Sequence, residues 1–253
     1  DNLYILSTKP YYELLKKNPF IKDVIIDKRK SRFNLIYLYL LMREIKKYNF
    51  SKIYDLQNSS RSRFYKKILH PKEGLEIWSS TSTTLPKEIT KEEFDKGPVL
   101  NRFEHQLNKS GLITKNVLKP NFNWSCEDIS NLKSIYKLEK YIILFPFSSA
   151  HLTIKRWPFY NELIQKIKEK FENKYQLVIA PGPNEIKIAN EIDAKIILNN
   201  ERALNISQLS TLIKDSSFVV ANDTGPAHIA AHVGANGLTL FGKHISASKV
   251  SIE

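Results

Sequence analysis

The 253-residue sequence contains a single cysteine, Cys126, and lacks any long apolar run. One thiol excludes an internal disulfide and a cysteine-based metal site, and it favours a reducing compartment. The longest nearly uncharged apolar run, Leu35 to Met42, is too short for a membrane-spanning helix, which needs about 20 residues. With 11% aromatic and 26% charged residues, the composition excludes a disordered or collagenous chain and indicates a globular protein.

The common nucleotide-binding fingerprints are also missing. Neither G-x-G-x-x-G nor G-x-x-x-x-G-K-[ST] occurs in the sequence. We predict no metal site, because His228 and His232, although four residues apart, lie on a helix with the pattern of a core helix. The sequence has no basic region followed by an apolar stretch, the pattern that would indicate a signal peptide. The chain starts at Asp1 and not at Met, so we expect its true beginning to be missing.

Acidic residues are scarce relative to basic ones. The chain has 39 Lys+Arg against 26 Asp+Glu, a formal net charge of +13. This excess predicts attraction to anions, which include nucleic acid, phospholipid headgroups and phosphorylated small substrates. The alternative interpretation is lysine-rich residue usage, with lysines spread over solvated faces.

Short β-branched runs alternate with helix-period segments along most of the chain, which predicts parallel sheets with crossover helices. We expect two doubly wound units, residues 1–137 and 138–253, and a polar loop over residues 79–93. The predicted strands are Leu3–Ser7, Asp23–Ile26, Lys52–Leu56, Leu75–Trp78, Tyr141–Phe145, Tyr175–Ala180, Lys195–Leu198, Phe218–Ala221 and Gly237–Phe241. The predicted helices are Tyr11–Lys17, Phe33–Tyr48, Ser60–Leu69, Asn101–Lys109, Pro158–Phe171, Glu185–Ile192, Ile206–Lys214 and Pro226–Val233.

Three strand-to-helix junctions in the second half carry candidate site residues. The N-D-T-G-P-A-H segment, residues 222–228, follows a strand and opens an apolar helix. Asp223 or Thr224 can cap that helix, Gly225 lets the backbone turn closely, and Pro226 suits the first helical turn. The resulting helix N-terminus suits a phosphate or diphosphate, although an ordinary capped helix has the same pattern.

The other two junctions supply hydroxyl, basic and acidic side chains. Ser148 and Ser149 follow the strand Tyr141–Phe145, and Lys155 and Arg156 come directly before a predicted helix start. Hydroxyl and cationic groups there can bind phosphate oxygens, or they can form a plain surface patch. Glu185 opens the helix after the P-G-P-N turn at 181–184. Its carboxylate can favour the helix dipole or accept hydrogen bonds from ribose hydroxyls.

Taken in order, these motifs resemble those of the ADP-heptose:lipopolysaccharide heptosyltransferases, glycosyltransferase family 9. The matching segments are D-T-G-P-A-H at 223–228, L-F-G at 240–242, K-R-W-P at 155–158, P-G-P-N-E at 181–185, and D-L-Q at 55–57 followed by R-S at 61–62. The resemblance extends over most of the chain. It implies an α/β GT-B fold, in which two Rossmann-like domains face a cleft and the second domain holds the nucleotide sugar without metal or other cofactor.

The resemblance also implies roles for individual residues. Lys155 would neutralise the departing diphosphate, Glu185 would hold the ribose, and His228 would lie beside the donor pocket. The remaining donor-side residues would be Ser148, Ser149, Asp223, Thr224 and Gly225, and the acceptor-side residues in the first domain would be Gln57, Arg61 and Arg63. Family members begin with a strand and a Gly-Asp loop that supplies the general base. No equivalent precedes Leu3, so we assign no base, and we expect the chain to be truncated at both ends.

The implied reaction is metal-independent, inverting transfer of heptose from ADP-heptose to the Kdo/heptose–lipid A inner core of lipopolysaccharide. Two alternatives remain: another GT-B enzyme that uses a UDP- or other NDP-hexose, and an inactive relative that binds anionic glycans. Nucleic acid is not a predicted partner, because the sequence lacks the interleaved aromatic and basic residues of a single-strand binder. Oligomeric state is not predicted.

A lipid-linked acceptor implies peripheral attachment to an anionic membrane surface, the cytoplasmic face of the bacterial inner membrane. The helix predicted over Phe33–Tyr48 has apolar residues ahead of Arg43, Lys46 and Lys47. It is interpreted either as a core helix with a charged C-terminal end or as a contributor to that attachment.

Overall fold

The computed structural model describes residues 2–69, 77–114, 120–243 and 245–250. The chain divides into two compact units, one built mainly from residues up to 119 and the other mainly from residues 120–247. This division lies closer to the N-terminus than the predicted boundary between 137 and 138. The segment 120–137 contacts the second unit: the Phe122 N–H donates to the His232 carbonyl at 2.9 Å, and Leu132 is buried in the second unit's core.

The first unit contains two pairs of parallel strands. Its elements are β1 (Leu3–Ser7), α1 (Lys9–Lys16), β2 (Ile21–Ile26), α2 (Leu35–Lys46), β3 (Ile53–Tyr54), α3 (Ser60–Leu69), β4 (Trp78–Ser79), α4 (Thr81–Thr84), α5 (Lys91–Phe94) and α6 (Val99–Lys109). Among the described residues, β1 pairs with β2 and β3 pairs with β4. The core lies between α2, α3 and the adjoining strands, with Leu41, Tyr65 and Trp78 among its buried residues.

The polar run at residues 79–84 is ordered and largely buried, so the prediction of a loop there is wrong. Ser80 and Thr83 form a capping box that starts the short helix α4. Thr84 Oγ1 donates to the Ser80 carbonyl at 2.8 Å, and the Thr81 N–H donates to Asn58 Oδ1 at 2.6 Å. These hydroxyl residues satisfy one another's backbone groups, which makes their burial possible. Of the strand predicted over Leu75–Trp78, residues 75 and 76 lie outside the described residues.

The second unit is a five-stranded parallel sheet with helices on both faces. Its strands are β5 (Tyr141–Phe145), β6 (Gln176–Ile179), β7 (Lys195–Ile196), β8 (Phe218–Asn222) and β9 (Gly237–Leu240). Its helices are α7 (Ser130–Tyr136), α8 (Tyr160–Lys170), α9 (Ile206–Lys214) and α10 (Gly225–Val233), with 3₁₀ helices at Asn123–Ser125, Ala150–Lys155 and Ile186–Glu191. The last described helix, α11 (Ala247–Val250), belongs to the first unit from residue 248 onward. The strand order is β7-β6-β5-β8-β9, so the order reverses between β5 and β8.

The central strand β5 shows why this sheet is stable. All five of its residues are buried. Ile143 and Phe145 face one helical layer, whereas Ile142 and Leu144 face the other, because successive side chains of a strand point to opposite faces. The carboxyl ends of β5 and β8 therefore lie side by side at a topological switch point, where ligands of such sheets bind. Within the described part of the chain, no helix is both long and apolar enough to cross a membrane.

Candidate functional site

A cavity of about 540 Å³ lies in the second unit where β5, β6 and β8 end. Its volume is that of an ordinary small-molecule pocket. The residues that line it include every donor-side residue predicted from the sequence: Ser148, Ser149, Lys155, Glu185, Asp223, Thr224, Gly225 and His228. The parallel sheet thus brings side chains from three separate strand-to-helix junctions to one place.

Lys155 and Asp223 form a largely buried ion pair at this cavity. Lys155 Nζ donates to Asp223 Oδ2 at 2.6 Å and to the Asp223 carbonyl oxygen at 3.0 Å. The Asp223 side chain is 3% exposed and that of Lys155 is 20% exposed. The Asp223 N–H donates to the Leu240 carbonyl at 3.1 Å, which fixes the backbone of Asp223 against the end of β9. The ammonium group is therefore held in the cavity wall, where an anionic ligand would compete with Asp223 for it.

The N-terminus of α10 opens onto the same cavity. Thr224 is its N-cap residue, but no side chain caps the first turn; instead Thr224 Oγ1 donates to the Asn222 carbonyl at 3.2 Å. The positive end of the helix dipole is thus available to an anion. The turn that Gly225 was expected to allow does not itself depend on a glycine, because the φ of Gly225 is not positive and an added Cβ would meet nothing within 4 Å. That open space instead allows a ligand to approach the backbone.

Asn222 is a positioning residue that the sequence interpretation did not single out. Its side chain is fully buried at the end of β8. Nδ2 donates to the Pro146 carbonyl at 2.8 Å, and Oδ1 accepts from the Trp157 N–H at 3.3 Å and from the Tyr160 hydroxyl at 3.4 Å. One amide therefore fastens the segment after β5 and the start of α8 to the end of β8. A polar residue that ends an otherwise apolar strand was the signal available in the sequence.

The segment after β5 separates the roles of Lys155 and Arg156. Arg156 Nη2 donates to the Ser148 carbonyl at 2.9 Å, and its Nε donates to Ser148 Oγ at 3.3 Å. Ser148 Oγ in turn donates to the Leu152 carbonyl at 2.9 Å. Arg156 and Ser148 therefore brace the segment internally, while Lys155 faces Asp223. Ser149 is exposed at the cavity and presents its hydroxyl from this braced backbone.

Glu185 closes the turn after β6. Its Oε2 accepts a hydrogen bond from the Gly182 N–H at 2.8 Å, and a Cβ at position 182 would lie 3.2 Å from the same oxygen. The glycine thus lets the carboxylate approach closely. Glu185 is half-buried and lines the cavity. Because a carboxylate accepts several hydrogen bonds, Glu185 can also accept one from a ribose hydroxyl.

His228 lies in the first turn of α10 and is half-buried. Burial lowers the pKa of His228, with Asp223 opposing the shift and Lys155 adding to it. Burial and the neighbouring His228 also lower the pKa of His232, whose ring centroid lies 6.4 Å away. Both shifts favour the neutral imidazole. A neutral ring carries one donor and one acceptor nitrogen, which suits it to hydroxyl groups of a ligand.

The three predicted acceptor-side residues lie in the first unit and are not equivalent. Gln57 and Arg63 are exposed. Arg61 is engaged within the unit: Nη1 donates to the Tyr65 hydroxyl at 2.7 Å, and Nη2 donates to the Lys30 carbonyl at 2.9 Å. Arg61 and Arg63 are two positions apart on α3 and so face different directions.

A second depression, of about 630 Å³, lies at the opposite end of the second unit's sheet, near Gln176 and Lys195 at the starts of β6 and β7. It is more open to solvent, and the carboxyl ends of the strands do not reach it. We therefore assign the site to the smaller cavity. Among the described residues, no group of three His, Cys, Asp or Glu side chains lies close enough together to hold a metal ion.

Solved structures with a similar fold include heptosyltransferases. ADP-heptose lipopolysaccharide heptosyltransferase II of E. coli is 17% identical with a TM-score of 0.65, and the match covers 98% of this chain and 77% of that one. E. coli heptosyltransferase WaaC with ADP is 14% identical with a TM-score of 0.66, covering 96% and 79%. A family 9 glycosyltransferase of Veillonella parvula is 15% identical with a TM-score of 0.65, covering 100% and 93%. These likenesses define an α/β protein of the GT-B class, as the sequence predicted.

The sequence profile of glycosyltransferase family 9 (heptosyltransferase) matches residues 38–248. The chain belongs to this family and is a glycosyltransferase. No curated protein sequence matches it.

Proposed function

We propose that this enzyme transfers a heptose from ADP-heptose to the Kdo/heptose–lipid A inner core of lipopolysaccharide, with inversion and without a metal. The single observation that carries the proposal is the cavity of the second unit, in which the Lys155 ammonium and the N-terminus of α10 converge. Two positive groups at one wall suit the two phosphates of a nucleotide sugar. The E. coli structure solved with ADP belongs to a protein of the same fold.

The proposed roles follow from the contacts. The diphosphate lies across the N-terminus of α10, near Thr224 and Gly225, and draws the Lys155 ammonium from Asp223. The Asp223 carboxylate then accepts hydrogen bonds from sugar hydroxyls, and His228 does the same as a neutral imidazole. Glu185 holds the ribose, and Ser149 donates to a phosphate oxygen. Ser148 contributes through the braced backbone, because its hydroxyl proton is used by Leu152.

The reaction is then a displacement at the anomeric carbon. An acceptor hydroxyl attacks the carbon while the bond to the diphosphate oxygen breaks. Negative charge builds on the departing diphosphate, and Lys155 and the α10 N–H groups stabilise it where it develops. A general base takes the proton of the acceptor hydroxyl; we assign that role to no described residue. Gln57 and Arg63 are proposed to contact the anionic acceptor directly, and Arg61 is proposed to support that site by holding the backbone at Arg29 and Lys30.

The enzyme is proposed to act at the cytoplasmic face of the inner membrane, attached peripherally. This location follows from the acceptor, whose lipid A anchor remains in the bilayer, and from the net charge of +13. Basic residues near anionic lipid contribute about 1 kcal/mol each.

The first experiment compares nucleotide sugars by thermal stabilisation, followed by a transfer assay read by mass spectrometry. A ligand at about 100 times its dissociation constant adds about 2.7 kcal/mol to the free energy of unfolding. We expect ADP and ADP-heptose to raise the melting temperature, and heptose to appear on a Kdo–lipid A acceptor. Stabilisation by UDP-hexoses alone would instead assign another GT-B activity, and no stabilisation by any nucleotide sugar would favour an inactive glycan-binding relative.

The second experiment tests Asp223 directly by calorimetry with ADP-heptose. Asp223→Ala should abolish measurable donor binding, because it removes both the sugar contact and the group that positions Lys155. Asp193→Ala is the matched control, since Asp193 also pairs with a lysine of the same unit, Lys168, at 2.7 Å but lies away from the cavity. Equal loss of binding in both variants would show a general loss of structure.

A further inference from the structure

Helix α2 of the first unit exposes a row of large apolar side chains. Phe33, just before the helix, is 92% exposed, and Leu35 and Ile36 are 74% and 76% exposed. Tyr39 and Leu40 follow one turn later, at 61% and 53%. Exposed apolar residues are ordinary when they are scattered, whereas a contiguous patch marks an interaction surface.

The exposed residues lie on one face of α2. At about 100° per residue, positions 35, 36, 39 and 40 fall within about 140° of one another. The opposite face carries Tyr37, Leu38, Leu41 and Ile45, which are buried in the first unit's core. The helix is thus apolar on both faces for its first two turns. Packing within the unit accounts for the buried face. The interpretation of α2 as a core helix therefore leaves its exposed apolar face unexplained.

Basic residues stand at both ends of the apolar face. Lys28, Arg29, Lys30 and Arg32 precede it, and Arg43, Lys46 and Lys47 follow it; all seven are exposed. The only acidic residue between positions 28 and 47 is Glu44, which lies 2.6 Å from Lys47 Nζ. By the same angular spacing, Arg43 lies on the same side of the helix as Ile36 and Tyr39. We call Phe33, Leu35, Ile36, Tyr39 and Leu40 with these seven basic residues the α2 surface.

The basic segment before α2 is held by the interior of the unit. Asp27, which is buried, accepts from the Arg29 N–H at 2.7 Å and from the Tyr65 hydroxyl at 2.9 Å. Arg61 donates to the carbonyls of Arg29 and Lys30 at 3.2 and 2.9 Å. Because the backbone is fixed from within, the side chains of this segment are presented outward at little further entropic cost.

We infer that the α2 surface docks on a lipid bilayer that contains anionic phospholipids. Apolar side chains flanked by lysine and arginine are the composition of interfacial membrane-binding segments, in which the apolar residues enter the headgroup boundary and the cations meet phosphates. A second copy of the chain fits this surface poorly, because seven basic residues would face seven. The inference rests on the proposed function, because the proposed acceptor is lipid-linked. Its test, however, needs neither donor nor acceptor.

The test is flotation of the full chain with phosphatidylcholine vesicles, with and without phosphatidylglycerol. We expect binding to the anionic vesicles, lost by at least about tenfold in Phe33→Ser/Ile36→Ser, since each side chain contributes apolar area to the bilayer. The matched control is Phe20→Ser/Ile113→Ser, in which the replaced residues are 79% and 87% exposed but lie outside the α2 surface. This control should bind as the unsubstituted protein does.

The charged part of the surface is tested separately. Lys28→Gln/Lys30→Gln should weaken binding to anionic vesicles by roughly fivefold per residue and reduce its dependence on salt, whereas Lys166→Gln/Lys170→Gln in the second unit should change it little. Equal vesicle binding by the Phe33→Ser/Ile36→Ser variant and its control would overturn the inference. So would a dimer in sedimentation that these substitutions abolish, or a vesicle-independent complex with an acidic protein. ADP binding by calorimetry, unchanged in all four variants, separates this outcome from failure of the proposed function.

Discussion

The first strands of the two units have equal length and very different surroundings. Every residue of β5 is buried, and β5 pairs with β6 on one side and β8 on the other. In β1 no residue is buried, and among the described residues β1 pairs only with β2. The second unit therefore uses its sheet to bring strand ends together into a cavity. The first unit depends on α2 and α3 for its core and on a buried polar network to hold its loops.

The largest expected effect contrasts equivalent leucines in these two strands. Leu144 is the fourth residue of β5 and is fully buried, whereas Leu6 is the fourth residue of β1 and is 40% exposed. Leu144→Ala should lower the free energy of unfolding by about 2–5 kcal/mol through lost burial and a cavity. Leu6→Ala should cost about 1 kcal/mol, because less apolar area is lost.

Urea unfolding combined with hydrogen exchange measures these costs separately in the two units. Protection of backbone amides against hydrogen exchange should fall in β5 and β8 for Leu144→Ala. For Leu6→Ala it should fall only in β1 and β2. Equal losses from the two substitutions would contradict the contrast between the strands.

The next effect concerns two lysine–aspartate pairs of the second unit. Lys155→Ala should lower kcat/KM by roughly ten- to a hundredfold, the value of a charge-assisted hydrogen bond of about 1.5–3 kcal/mol that strengthens in the transition state. Lys168→Ala removes a more exposed lysine–aspartate pair, with Asp193, away from the cavity and should leave kcat/KM unchanged. Steady-state kinetics with ADP-heptose measures both. Unchanged donor kinetics in Lys155→Ala would remove the leaving-group role.

The difference between the two units also determines how much of the fold and of the candidate site the sequence could predict. Strand β5 was predictable because it is a short apolar run that is buried throughout, and helix α9 because its apolar residues repeat with a helical period. That the predicted donor-side residues line one cavity was predictable because the strand ends of a parallel sheet converge at one edge; their role in donor binding stays a prediction. Asn222 was missed because its role depends on contacts 62 to 76 positions away in the chain.

In the first unit, local pattern and tertiary contact disagree. The hydroxyl-rich residues 79–84 have the composition of a loop, but mutual hydrogen bonds allow them to be buried. The pattern of α2 left open a core helix and a helix that contributes to membrane attachment, because periodicity cannot show which apolar face has a partner. The role of Arg61 as a clamp on the backbone at 29 and 30 likewise depends on contacts that sequence spacing does not show.

Replacing either of two glycines of the second unit, Gly225 or Gly237, by alanine should have a smaller effect on stability or ADP binding. Gly225→Ala should change the free energy of unfolding by less than about 1 kcal/mol, because the added Cβ meets open space at a helical position. It should nevertheless weaken ADP binding, since the methyl group occupies the approach to the α10 backbone.

Gly237→Ala is the matched substitution. Its Cβ would lie 2.9 Å from the Val219 carbonyl oxygen, so this change should cost about 1–3 kcal/mol of stability. Thermal unfolding and calorimetry with ADP together separate the two outcomes. A Gly225→Ala protein that binds ADP normally would place the diphosphate elsewhere.

The smallest expected effect is the pH dependence that His228, which lines the cavity, adds to the free energy of unfolding. Because burial lowers the pKa of His228 below its usual 6.5, the unfolded chain binds a proton more readily than the folded protein. The contribution of His228 to stability is therefore full above about pH 6.5 and falls as the pH drops from there toward the lowered pKa. His228→Gln should flatten this decline, measured as the free energy of unfolding between about pH 7 and pH 5. The same substitution at His151, which is exposed, should leave the decline unchanged.

A crystal structure of the protein with ADP is the sharpest test of the proposed donor site. We expect the diphosphate in the cavity of the second unit, with its oxygens within hydrogen-bond distance of Lys155 Nζ and of the backbone at the N-terminus of α10. The Lys155–Asp223 pair should be broken or lengthened in that complex. ADP bound outside this cavity, or a diphosphate that leaves Lys155 on Asp223 and α10 without a ligand, would rule out this donor site.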